Sequence, residues 1–250
     1  MIVAQNVTKN FDGTAVIKDV SARFDKGITN LIIGQSGSGK TVLMKCLVGL
    51  HEVDEGSVFF DDKNFTRMNW KQRKTLRQDV GMLFQGGALF DSLNVEQNVM
   101  FPLDLYWESP YKEKLERVNF CLEKVGLEGI NNKMPGELSG GMVKRVAIAR
   151  AIALNPRYLF CDEPNSGLDP INSKRIDKLI YDLTVEFNMT TIVNTHDMNS
   201  VLEIGYNIAY INEGLLWWTG NKDEILNTNN EKLNEFIYTN EAIKKLKKIK

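Results

Sequence analysis

Ile28-Thr29-Asn30-Leu31-Ile32-Ile33-Gly34-Gln35-Ser36-Gly37-Ser38-Gly39-Lys40-Thr41 is the stretch on which the reading of this chain turns. Ile28 to Ile33 is an apolar run that predicts a buried strand, broken at Gly34. Gly34 to Thr41 then fills G-x-x-x-x-G-K-[ST] at every fixed position. Thr41 to Leu50 predicts a helix, because Leu43, Met44, Leu47 and Leu50 share one face and Gly49 sits near its end. Strand, glycine loop and helix in that order form the setting in which this motif holds phosphate. Gly34, Gly37 and Gly39 let backbone N–H groups curl around an anion, with Gln35, Ser36 and Ser38 between them. The helix start adds the positive end of its dipole. Lys40 can reach β- and γ-phosphates, and the Thr41 hydroxyl can ligate Mg2+.

A second motif lies about 120 residues further on. Tyr158-Leu159-Phe160-Cys161-Asp162-Glu163 is an apolar strand ending in two carboxylates. Asp162, at the strand's carboxyl end, is placed to hold Mg2+, and Glu163 can orient or deprotonate an attacking water. Alone, such a pair is also compatible with a solvated acidic turn; the phosphate loop gives it weight.

Around these motifs the chain alternates. Ile2-Val3-Ala4 and Ala15-Val16-Ile17 flank Asp12-Gly13, a hairpin signal, and Val58-Phe59-Phe60 reads as another strand. From about Phe65 to Lys133 the pattern turns helical and charged, with Val118, Cys121, Leu122, Val125 and Leu127 in a stripe. After Ser139 come a helix through about Ala153, a strand Tyr158 to Cys161, a helix Asn172 to Phe187 and a strand Thr191 to Asn194. Alternation of this kind predicts an α/β core with a largely parallel sheet and a helical insertion.

Composition excludes several classes. The 250 residues carry 31 basic and 32 acidic side chains, so a globally basic nucleic-acid binder is disfavoured. The last ten residues hold five Lys and one Glu, leaving a body of net −5 with a basic tail. In that tail Ile243, Leu246 and Ile249 recur among lysines, a frayed terminus before it is a membrane-binding helix. Cys46, Cys121 and Cys161 lack metal-site spacing and fit a reducing compartment. The start of the chain has no signal-peptide pattern, and no apolar run is long enough to span a bilayer. Trp217-Trp218 falls on a strand-like segment, where one ring of the pair is expected in the core.

The phosphate loop and its acidic partner strand are shared by many enzymes. Leu138-Ser139-Gly140-Gly141-Met142 separates them, a Ser-capped glycine-rich helix start and so a second anion-binding end. Here the sequence resembles the ABC ATPase family, whose LSGG signature this is, over about residues 2 to 225. Phe11 matches the family's adenine-stacking aromatic, Gln85 its Q-loop glutamine, Asp169 in Ser166-Gly167-Leu168-Asp169 its D-loop, and His196 its switch histidine. The resemblance implies a P-loop NTPase (RecA-like) core with an antiparallel β subdomain and an inserted α-helical subdomain. It places one ABC ATPase domain at 1–230, the helical subdomain at about 86–155, and a short extension at 231–250. Glu163, His196 and Gln85 become the implied catalytic residues. Thr41, Gln85 and Asp162 become the implied Mg2+ ligands. Phe11, residues 34 to 41, Ser139, Gly140, Gly141 and Asp169 become the implied ATP contacts. In this family the signature of one subunit covers the γ-phosphate held by the other, which implies a homodimer with two ATP sites.

Gln85-Gly86-Gly87-Ala88-Leu89-Phe90 through Phe101-Pro102-Leu103 is similar to the ATPases of MCE-associated (Mla-type) lipid transporters. Met142, where most relatives carry Gln, fits that branch. The implied function is to power phospholipid transport between bacterial membranes from the cytoplasmic face of the inner membrane, with permease subunits and an MCE-domain partner. The alternative is the ATPase of another importer or exporter. Ala88, Leu89, Phe90 and Leu93 are the expected groove for a permease helix. Soluble ABC ATPases acting on DNA or ribosomes fit less well: there is no long coiled-coil insertion and only one ATPase domain. A P-loop kinase would need neither the signature nor the D-loop.

Overall fold

The computed structural model describes residues 1–238, so the lysine-rich tail lies outside the described residues. The chain divides into two compact units. The first comprises residues 1–25, 29–68 and 193 onward; the second comprises 26–28 and 69–192.

The first unit opens with strand β1 (Ile2–Phe11) and strand β2 (Thr14–Phe24), joined at Asp12 and Gly13. Both turn residues have positive φ, 48° and 79°, the twist that a two-residue hairpin requires. β4 (Glu55–Phe60) and β5 (Lys63–Asn64) extend this antiparallel sheet in the order β2-β1-β4-β5. Ile2, Ala4, Val7, Ile17, Val20 and Phe24 point to one buried side. The same unit holds β3 (Thr29–Ile33), parallel to β9 (Asn207–Asn212), which pairs antiparallel with β10 (Leu215–Gly220). Every residue of β3 is buried, as a central parallel strand demands. Helix α1 (Lys40–Leu47) follows β3 and stops three residues before the expected Leu50. Gly49, at φ 71°, ends it, and the Leu50 amide turns back to donate to the Lys45 carbonyl at 2.8 Å.

The second unit contains α2 (Trp70–Gln78), β6 (Val80–Leu83), α3 (Val95–Tyr106), α4 (Tyr111–Lys124), α5 (Gly140–Ile152), β7 (Tyr158–Asp162) and α6 (Pro170–Glu186). β6 runs parallel to β7, with Leu83 opposite Cys161. This strand interrupts the stretch from about 65 to 133 that reads as helical segments: Val80 to Leu83 is too short to declare itself among charged neighbours. Helices α3, α4 and α5 pack on one another. α5 is buried nearly all round, from Val146 to Ile152, so its pattern carries little periodicity. α6 begins at Pro170, two residues before the expected start. Pro suits the first helical position, and Asp169 caps the helix. Strand β8 (Thr190–Thr195) carries the chain back into the first unit, where α7 (Met198–Ile204) and α8 (Glu231–Ile237) complete it.

All three cysteines are buried and free. Burial pushes the thiols of Cys46 and Cys121 up to about 11, so they are inert packing groups. The tandem tryptophans depart from expectation: Trp217 is 40% exposed and Trp218 is half-buried, because β10 packs neither face into a closed core.

Candidate functional site: a phosphate cradle and a carboxylate cluster

In the first unit, β3 delivers the chain into the loop Gly34–Gly39 and α1 receives it. Gly34 has no room for a side chain: an added Cβ would lie 2.1 Å from the Ile211 carbonyl oxygen. Gly39 caps α1 in the left-handed region at φ 105°. The first-turn amides of α1 point along the helix axis toward the loop. Lys40 is 4% exposed, and its Nζ donates to the carbonyls of Gly34 (2.9 Å) and Gln35 (2.8 Å). Ser38 Oγ is buried and has no hydrogen-bond partner among the described residues. A concavity of backbone, a buried cation and an unsatisfied hydroxyl together fit a phosphate chain. Thr41, half-buried beside them, offers an oxygen for Mg2+.

Phe11 ends β1 with its ring 39% exposed. His51 packs edge-on against it at 5.3 Å between ring centroids, and the Lys9 ammonium lies 5.3 Å from the ring centroid. Lys9 in turn pairs with Asp54 at 2.9 Å. That cation and the Asn10 amide hold the Asp54 carboxyl below the usual carboxylate range. His196 stands exposed just past the end of β8.

In the second unit, Asp162 is the last residue of β7 and is 5% exposed. Glu163 follows in a left-handed backbone, φ 45°, a strained setting for a residue with a Cβ. Gln85 Nε2 donates to Glu163 Oε2 at 3.2 Å, so the structure brings these two side chains together. Among the described residues no group of three His, Cys, Asp or Glu could hold a metal unaided. Asp162 and Gln85 are oxygen donors of the kind Mg2+ takes when phosphate supplies the other ligands.

Ser139 caps α5, accepting from the Met142 amide at 3.3 Å, and Gly140 and Gly141 form the helix's first turn. Asp169 spends its carboxylate on α6, where Oδ1 accepts from the amides of Ile171 and Asn172, both at 3.0 Å. Those amides, with the Asn172 side chain, hold its carboxyl below the usual range.

Beyond Gln85, Gly86, Gly87 and Ala88 all have positive φ (79°, 86° and 47°). The chain leaves the site by a left-handed turn that packs on α5: a Cβ on Gly87 would lie 2.9 Å from Val143 Cγ1. The Arg150 guanidinium fixes the turn, donating to the carbonyls of Gly87 and Ala88, each at 2.9 Å. Buried Asn98 fixes the next segment. Its amide nitrogen donates to the carbonyls of Phe90, Leu93 and Asn94, and its oxygen accepts from the Phe90 amide. Arg150 and Asn98 had no assigned role in the sequence, since neither lies in a chemical motif. The bonds of Arg150 span more than 60 positions and are visible only in three dimensions, whereas those of Asn98 stay within eight residues.

Between the turn and α3 lies a cleft of about 330 Å³ lined by Phe84, Ala88, Phe90, Phe101, Pro102 and Leu105, with Arg150 in its wall. Phe90 and Phe101 meet at 4.7 Å, and Phe84, Phe90, Phe101 and Leu105 are all more than a third exposed. The expected groove residues Ala88 and Phe90 line it; Leu89 and Leu93 do not.

The ABC transporter family matches residues 17–166. The chain is 40% identical over 237 residues to the methionine import ATP-binding protein MetN of Clostridioides difficile, covering 95% of this chain and 74% of that protein. It is 34% identical over 236 residues to the probable ribonucleotide transport ATP-binding protein mkl of Mycobacterium leprae, covering 94% and 68%. The fold is similar to the dimeric ATP-binding cassette MJ0796 in a post-hydrolysis state bound to ADP and Pi. That match has a TM-score of 0.81 and 31% identity, over 89% of this chain and 99% of that one. It is also similar to cbiO1 from Clostridium perfringens, part of the ABC transporter complex cbiONQ, with a TM-score of 0.84 and 31% identity over 92% and 91%.

The chain belongs to the ABC transporter family, and its fold is the ABC ATPase cassette of the P-loop NTPases. Within that family it is an ATP-binding subunit, an ATPase that uses ATP with Mg2+ to power transport.

Proposed function

We propose that the chain is the ATP-hydrolysing subunit of an importer of a small polar solute. It works as a homodimer on the cytoplasmic face of the membrane, beneath permease subunits. The observation that carries this reading is the 40% identity, across 95% of the chain, to an ATP-binding protein of methionine import. Relatives of that kind favour solute import over the phospholipid transport implied by the resemblance of residues 85 to 103. Phospholipid transport with an MCE-domain partner stays as the second reading, favoured by Met142 in the signature.

In the first unit, Lys40 and the amides of residues 34 to 41 bind phosphates, Thr41 ligates Mg2+, Phe11 takes the adenine and His196 the γ-phosphate. In the second, Asp162 and Gln85 are Mg2+ ligands, and Glu163 accepts the proton of the attacking water. Mg2+ neutralises the charge that develops on the phosphoryl oxygens. Ser139, Gly140, Gly141 and Asp169 act on the nucleotide of the second copy. The aromatic cleft beside Ala88 receives an apolar helix of the permease; its exposed rings match helix-in-groove recognition.

Among the described residues no helix is long and apolar enough to cross a membrane. The test is therefore made on the intact complex, purified with its permease and placed in lipid discs. ATP turnover stimulated by methionine-class amino acids or other small solutes is the expected result. Stimulation by phospholipid transfer alone would overturn the importer reading in favour of the second.

A further inference from the structure

Helix α5 carries a lysine that the chemistry above does not use. Lys144 is 3% exposed, and its Nζ is buried with no hydrogen-bond partner among the described residues. A long basic side chain ordinarily keeps its ammonium in water while burying its stem. Lys144 does the reverse, and an ammonium taken out of water is costly unless opposite charge lies near it.

That opposite charge is the carboxylate cluster. Burial pushes the Lys144 ammonium's pKa down, while Glu163 and, more weakly, Asp162 pull it back up. The surroundings agree. Val143, the preceding residue of α5, faces Gly87, and Ala147 faces the same glycine one turn on. Gly87 lies two residues beyond Gln85, which already holds Glu163 at 3.2 Å. Glu163, the Gln85 turn and the first two turns of α5 are thus one packed cluster inside the second unit.

We propose that Lys144 is a positioning residue for Glu163, a buried cation that holds the carboxylate and ties its setting to the helix that starts at the signature Ser139. The inference rests on the reading of Glu163 as the base and of Ser139 as a contact to the second copy's ATP. Lys144 is five residues beyond Ser139, a rise of about 7.5 Å along one rigid helix. A shift of the Ser139 end is therefore carried to the ammonium. Charge attraction varies with separation and is weakly screened out of water, so the hold on Glu163 changes with it. In this way engagement of one ATP site bears on the catalytic carboxylate of the other.

The test uses Lys144→Met, which keeps the stem and removes the charge, and Lys144→Arg, which keeps the charge. In the purified complex, the Met variant is expected to lose about 10- to 100-fold in kcat, the range set by a misplaced catalytic group. Its KM for ATP should stay within about 2-fold, and the Arg variant should recover most of the rate. Removing one partner of a buried charge pair also costs folding stability, so a second readout stands beside the rate. The effect of Lys144→Met on urea unfolding should differ between wild-type and Glu163→Gln backgrounds, reporting direct coupling of the pair. Wild-type kcat in Lys144→Met, failure of Arg to recover the rate, or identical unfolding effects in both backgrounds would each overturn the proposal. Normal turnover by Glu163→Gln alone would instead remove the base assignment on which it rests.

Discussion

Removing the Arg150 guanidinium tests whether the cleft beside Ala88 is a built docking site. Arg150 makes two charge-assisted bonds of 2.9 Å, to the Gly87 and Ala88 carbonyls, and its guanidinium lies 5.7 Å from the Phe90 ring centroid. Each such bond contributes about 1.5–3 kcal/mol where the acceptor is kept from water. Ala88 is exposed, so its carbonyl regains water when the arginine is lost; Gly87 is buried, so its carbonyl does not. The expected cost of Arg150→Ala is therefore about 2–3 kcal/mol rather than the sum of two full bonds. In a chain of this size that lowers Tm by roughly 4–12 °C. Arg150→Lys keeps a cation but not the two-pronged fork, and should fall between wild type and Ala. The turn at 86–88 also loses its brace, so Phe90 leaves its place against Phe101. Affinity for the detergent-solubilised permease should then fall about 10-fold, equivalent to 1.4 kcal/mol. Scanning calorimetry and a binding titration read the two effects. An Arg150→Ala protein that melts within a degree of wild type and binds permease undiminished would refute both the brace and the docking role.

Lys40→Ala removes the ammonium that braces Gly34 and Gln35 as well as the partner of the γ-phosphate; loss of about 3 kcal/mol should weaken ATP binding about 100-fold in a direct titration. Glu163→Gln keeps the shape beside Gln85 but removes the base, so ATP should still bind while hydrolysis stops and a dimer accumulates on size exclusion with ATP. Ser139→Arg should spare ATP binding by the monomer but abolish ATP-dependent dimerisation. Mixed with Lys40→Ala protein it should restore at most one working site per dimer, since one composite site then carries both defects and the other neither.

Legibility followed the reach of each interaction. The phosphate loop could be read because its bonds join neighbours: Lys40 reaches back six residues to Gly34, and Gly39 caps the helix that Lys40 begins. The Ser139 cap is local in the same way. The Gln85–Glu163 contact spans 78 positions and came only through a family resemblance. Arg150 to Gly87 spans 63, and no motif marks it. β6 was lost for a different reason. Four residues, of which only Gly81 and Leu83 are buried, look, in sequence, like the charged helical stretch around them. The groove was half legible, since apolar side chains at 88 and 90 could be seen, but the rotation set by three successive positive-φ residues could not. The cargo was read from a resemblance at the groove and signature, whereas similarity over the whole chain pointed to solute importers. The ATP chemistry common to the family constrains neither.

The ionic groups that the proposed function assigns to ATP are already engaged within their own units, and on that proposal this bears on how ATP can drive a cycle. Lys40 holds two carbonyls of its own loop, Glu163 is held by Gln85, and Asp169 caps its own helix. On the reading proposed above, ATP and the attacking water compete with these bonds while also meeting groups left unsatisfied among the described residues, such as the Ser38 hydroxyl. For Lys40 the exchange replaces neutral carbonyls with phosphate oxygens, and a bond to an anion is roughly twice as strong as its neutral counterpart. The gain is thus a difference between two bonded states, and it shrinks when the γ-phosphate is gone. A ligand shifts a conformational equilibrium only by its differential affinity for the two states. Engaged groups keep that differential tied to the one phosphate that hydrolysis removes, which lets the protein release product and return to the bonds seen here.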